Sequence, residues 1–183
     1  MKNLTIMLAI LTASITSVTA QENKPAAATQ SAKMSMSNAI DITFRSNNLE
    51  AGDVVTLAFD DVNDYANGVE SDPIELKIRS NKKFNITAKA ASSRFSYNGN
   101  ATTDPKMSVN KLLIKVVKNN TGGKVPGNVN NKYKSMSASK RRLINAGTPG
   151  GDNTFAVQYK ADPGYDFPAG TYSVDIIYTA TQL

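Results

Sequence analysis

Gly170-Thr171-Tyr172-Ser173-Val174-Asp175-Ile176-Ile177-Tyr178-Thr179-Ala180-Thr181 reads as a strand. Tyr172, Val174, Ile176, Tyr178 and Ala180 share one parity; Thr171, Ser173, Asp175, Thr179 and Thr181 share the other, and only Ile177 breaks the rule. Successive side chains of a strand point to opposite faces, so this pattern describes a half-buried strand with one apolar face. Such a face needs a second apolar surface to cover it.

The same alternation recurs upstream. Ile40, Ile42 and Phe44 alternate with Asp41, Thr43 and Arg45. Val55, Leu57 and Phe59 form the apolar parity of a strand expected over Val54 to Phe59. Asp60 to Pro73 reads as a long polar loop. Ile74, Leu76 and Ile78, then Phe84, Ile86, Ala88 and Ala90, flank Ser80-Asn81-Lys82-Lys83, which predicts a hairpin. Arg94 to Tyr97 is a short strand, and Leu112 to Val117 is apolar enough to be central. Lys134 to Ile144 is a polar strand suited to an edge, and Phe155, Val157 and Tyr159 belong to the penultimate one. No long stretch carries a helical period. About eight or nine short strands separated by turns predict an all-β, two-sheet antiparallel sandwich of immunoglobulin-like shape. Its predicted core comprises Ile42, Phe44, Leu57, Leu76, Ile78, Phe84, Ile86, Leu112, Ile114, Val157, Val174 and Ile176.

The N-terminus has a different character. Lys2, the mostly apolar run Leu4 to Ile15, and Val18-Thr19-Ala20 have the order of a secretory signal peptide over residues 1–20. Residues 21–37 then read as a flexible leader or arm, with Ala32, Met34 and Met36 keeping a faint strand alternation. Residues 38–183 are one domain. The expected address is therefore the periplasm, the cell surface or the medium, with no membrane span in the mature chain.

Composition narrows the chemistry. The chain has no Cys, His or Trp, so burial alone must hold it, and most nucleophile–base pairs and zinc or copper sites are excluded. No cofactor is expected. Ser137-Ala138-Ser139-Lys140 fits S-x-x-K, but a catalytic pair of this kind needs one helical turn and companion motifs that the sequence lacks. Asp60, Asp61, Asn63 and Asp64 supply carboxylate and amide oxygens for a candidate calcium loop, but without EF-hand spacing, and a solvated acidic turn is the preferred reading. Lys132, Lys134, Lys140, Arg141 and Arg142 form a basic stretch in a chain of formal net charge +6. With only Tyr133 interleaved, it suits a solvated face or an anionic glycan rather than nucleic acid.

The stretch Ile74 to Ile86 and the C-terminal strand together resemble small secreted bacterial β-sandwiches of the pilin-like kind, such as chaperone–usher pilins and spore coat protein U-like subunits. Gly170, Tyr172, Val174, Ile176 and Tyr178 match the register of the pilin assembly strand. Gln182 stands where those pilins carry a penultimate Tyr, and their usual disulfide is missing. The resemblance implies a non-enzymatic structural or adhesive subunit of a surface fibre or envelope assembly, self-associating through strand edges. The alternative is a monomeric exported binding module for a glycan or other envelope ligand. Such a module needs exposed aromatic side chains, and aromatic residues are 7% of this chain.

The intact mass of protein recovered from the cell envelope or medium is expected to correspond to a chain beginning at Gln21. A mass that retains Met1 to Ala20 would refute the export reading.

Overall fold

The computed structural model describes residues 30–45 and 54–183. The predicted signal peptide and most of the leader, at 1–29, lie outside the described residues, as does the turn at 46–53. Residues 30–35 form a unit separate from 36–183, and 30–39 contain no helix or strand. The alternation of Ala32, Met34 and Met36 therefore does not extend the first strand, β1, which begins at Ile40 (Ile40–Phe44).

The rest is an all-β sandwich of antiparallel sheets that do not close into a barrel. After β1 come α1 (Val62–Asn67), β2 (Val69–Glu70), β3 (Ile74–Ser80), β4 (Phe84–Ala90) and β5 (Ser96–Asn98). A 3₁₀ turn then leads into β6 (Leu112–Asn119), followed by β7 (Lys134–Ser135), β8 (Arg141–Gly147), β9 (Gly150–Ala161), β10 (Thr171–Ser173) and β11 (Ile176–Gln182). One sheet has the order β1-β3-β9-β6-β7, with β2 also paired to β9. The facing sheet is β11-β4-β8, and β10-β5 is a two-stranded ribbon.

The predicted hairpin is not one. β3 pairs with β1 and β9, whereas β4 pairs with β11 and β8, so Asn81 to Lys83 carry the chain from one sheet to the other. Alternation specifies which face is buried, not which strand lies alongside. Ile74, Leu76, Ile78 and Ser80 are buried, as are Phe84, Ile86, Ala88 and Ala90, and they meet across the core instead of side by side. The connection lacks the Asn-Gly signature of a two-residue hairpin. It is shaped by Ser80, whose Oγ donates to the Lys82 carbonyl (2.8 Å).

Three other expectations change. Val54 to Phe59 is not a strand: Leu57 and Phe59 are half-buried, but the segment has no ladder partner. The loop from Asp60 to Pro73 contains α1 and β2, because Asp61 and Asp64 form a capping box that nucleates a short helix. Lys134 to Ile144 splits into β7 and β8, which end opposite sheets. The last strand also breaks. Between the Ser173–Ser96 and Ile176–Ala90 pairs, Val174 and Asp175 face the longer segment 91–95, and the excess residues interrupt the ladder. The penultimate strand is consequently β10, and β9 is the interior strand to which β3 and β6 pair.

The core follows the inward parities. Leu76, Ile78, Phe84, Ile86, Leu112, Ile114 and Val157 are buried, while Ile42, Phe44, Leu57, Val174 and Ile176 pack against them half-covered. Each fully buried aliphatic or aromatic side chain contributes about 1.5–3 kcal/mol of transfer free energy. Leu76→Ala is expected to cost about 2–5 kcal/mol in a denaturant titration. Glu75→Ala, on the solvent face with a 3.6 Å ion pair to Lys118, is expected to cost under about 1 kcal/mol. Equal losses would invert the assigned faces.

Candidate functional site

Among the described residues β1 pairs only with β3 and β11 only with β4, so each presents an edge with no described partner strand, and both edges lie on the same side of the sandwich. Side chains of one β11 parity line the seam between them. Tyr178 reaches across it, meeting Phe44 of β1 edge-on (6.0 Å between ring centres) and Phe155 of β9 (6.5 Å). Its hydroxyl lies 2.5 Å from that of Tyr159 on β9. At the other end of β11, Gln182 Nε2 lies within hydrogen-bonding distance of Ala39 O (2.8 Å), Asn81 Oδ1 (2.9 Å) and Ser80 Oγ (3.1 Å). Asn81 in turn accepts from Ala39 N and donates to Ser37 O.

Between these two closures stands Ala180. Its methyl group is too small to fill the gap, and an open cleft of about 200 Å³ remains, lined by Ile40, Asp41, Ile42 and Ala180. Ile40 is 37% exposed and Ile177, on the outer face of β11, 42%. An edge of this kind offers unpaired N–H and C=O groups together with apolar side chains. Asp41, held by Arg79 Nη2 at 2.5 Å and Nε at 3.2 Å, marks its outer rim.

The structure divides the predicted assembly strand. Tyr178 belongs to the seam, and Ile176 and Val174 pack on the core. Gly170 and Tyr172 belong to the β5–β10 ribbon. Gly170 has φ +153°, and a Cβ there would lie 2.4 Å from the Tyr97 ring, so only glycine fits.

The other candidates fall elsewhere. Lys132, Lys134, Lys140, Arg141 and Arg142 lie at or beside β7 and β8, on the side of the sandwich away from the seam. Arg141 Nη2 donates to Ser135 O (2.7 Å), tying the two edges, and Arg142 Nη1 donates to Asn145 Oδ1 (3.2 Å). In the candidate calcium loop, Asp61 Oδ1 accepts from the amides of Asn63 and Asp64, and Asp64 Oδ2 from those of Asp60 and Asp61. These carboxylates serve the start of α1, and no group of three metal-ligating side chains forms among the described residues. Ser137 Oγ donates to Ser139 O (3.2 Å), and Ser137 to Lys140 is not helical. No described helix is long and apolar enough to cross a membrane. A gathering of Phe59, Tyr65, Tyr97, Tyr165, Phe167 and Tyr172 was not foreseen, because its members come from α1, β5, β10 and two loops that are distant in the chain.

The tyrosine pair has a pH signature. Burial pushes the Tyr159 hydroxyl up to about 12, partly offset by its bond to Tyr178, and burial drives Tyr178 well above its ordinary value. The neutral forms are thus favoured in the folded state. Their contribution to stability is complete below pH about 10, the unfolded value, and is lost as pH rises toward about 12. Tyr159→Phe is expected to flatten this alkaline loss of stability; an unchanged profile would place the titrating groups elsewhere.

No protein-family model matches the chain, and no curated protein matches it at a significant level.

Proposed function

We propose that the protein is an exported, non-enzymatic structural subunit that joins others of its kind through the β1–β11 seam. One observation carries this reading: among the described residues two unpartnered strand edges flank a cleft lined by Ile40, Asp41, Ile42 and Ala180, and the segment before β1, which has no helix or strand, exposes Met34 (84%) and Met36 (82%). An extended arm supplies the backbone donors and acceptors that a free edge lacks, while alternate side chains fill the groove. In this chain the arm is Ala32 to Met36, and the cleft is its counterpart on a neighbouring copy. The Ile176 to Ala180 part of the C-terminal strand keeps the pilin-like register and supports the same reading. So does the conformation of Ser137 to Lys140, which lacks the helical turn that an S-x-x-K pair needs.

Two variants test it. Deletion of residues 21–37 removes the arm. Ala180→Leu fills the cleft from within and leaves the arm intact. Wild-type mature protein is expected to form multimers resolved by sizing chromatography and by a gel run without boiling. Both variants are expected to remain folded and monomeric. A wild-type protein that stays a monodisperse monomer at high concentration refutes the proposal.

A further inference from the structure

Of the seven Tyr and six Phe in the chain, Tyr65, Tyr97, Tyr165 and Tyr172 with Phe59 and Phe167 gather around α1, the β5–β10 ribbon and the loop 162–170. None of these six belongs to the buried core. Tyr165 is 66% exposed, yet it is held at two points. One face stacks on Tyr65 (5.7 Å, 21° between planes), which is backed by Phe59 at 5.3 Å. Its hydroxyl donates to Val62 O of α1 (2.7 Å). The remaining ring surface is a fixed apolar platform open to solvent.

The surrounding loop is held by tyrosines as well. Tyr97 Oη donates to Ala169 O (2.9 Å) and Tyr172 Oη to Pro168 O (2.8 Å), and the two rings lie 5.0 Å apart. Phe167 packs edge-on to Tyr172 at 6.3 Å, with Lys111 Nζ 5.9 Å from its ring centre. Asp166 follows Tyr165 in the chain and Asp60 follows Phe59; both are exposed and take part in no ion pair among the described residues. The aromatic end therefore carries hydrogen-bond acceptors next to Tyr165 in sequence and a cationic donor at Phe167, two residues along the same loop.

We infer that this aromatic end binds a glycan built of uncharged sugars, with a pyranose ring lying on the open face of Tyr165. A pyranose presents C–H groups on its flat face and hydroxyls, each both donor and acceptor, around its rim. The first suits an aromatic face and the second suits mixed partners such as Asp166 and Lys111. The two signs of charge favour an uncharged partner: the carboxylates repel an acidic sugar, and Lys111 opposes a cationic one. Because platform and loop are already ordered, little conformational freedom is lost on binding. This inference does not depend on assembly through the seam.

An array of uncharged and acidic oligosaccharides, probed with mature protein, tests it, followed by affinity measurement on the strongest uncharged ligand. Binding to at least one uncharged glycan is expected. Tyr165→Ala is expected to weaken it at least tenfold with thermal stability unchanged, whereas Tyr165→Phe, which keeps the ring, retains most of it. The variant lacking residues 21–37 is expected to bind like wild type, which separates this site from the assembly reading. Absence of binding to every uncharged glycan, binding to acidic glycans alone, or equal affinity in Tyr165→Ala overturns the inference.

Discussion

Tyr178 leaves the edge of one sheet and meets Phe44, Phe155 and the hydroxyl of Tyr159 in the other. A two-sheet fold holds only if side chains of one parity from each sheet meet in a water-free layer. Tyr178 does this at the margin, where the layer would otherwise open to solvent. Its phenol needs a polar partner once buried, and Tyr159 supplies one from the interior strand β9. The core and the seam are therefore one system: the contact that closes the layer also sets the spacing of the two free edges.

Side-chain burial closes the faces of a sandwich but not its edges. At the β7 and β8 edges, lysines and arginines stand along the margin, the common protection against unwanted pairing, and Arg141 spans the gap to Ser135. At the β1 and β11 edges such protection is thin. Tyr178 and Gln182 close the seam at two points, and the small Ala180 between them leaves a cleft.

The aromatic end arises from a different compromise. The excess of residues in the segment 91–95 breaks the ladder into β4–β11 and β5–β10, and among the described residues the ribbon beyond the break pairs with no further strand. Tyrosines serve there as a local core: their rings pack on one another and their hydroxyls bond to loop carbonyls. A surface assembled in this way is rigid and still partly exposed, and those are the properties recognition requires.

The sequence by itself determined the class of fold and part of the core, though Val129, Met136 and Leu143 are fully buried and stood outside the predicted set. Alternation in Ile74 to Ser80 and Phe84 to Ala90, and in Ile176 to Ala180 apart from Ile177, dictates which side chains turn inward, because the strand period is a local property of the backbone. Alternation also misled at Val54 to Phe59, where apolar residues pack without a ladder, and at the expected hairpin, whose two strands belong to different sheets. Pairing is decided by which distant strand, β9 or β11, supplies a better partner, and no local pattern encodes that competition. The same holds for both candidate sites. Tyr178, Ala180 and Gln182 are visible in the sequence as one parity of one strand, but the cleft at Ala180 exists only because β1 is brought opposite. Tyr65 and Tyr165 are far apart in the chain and stack only because α1 and the 162–170 loop meet in the folded protein, a contact set by tertiary packing rather than by any local period.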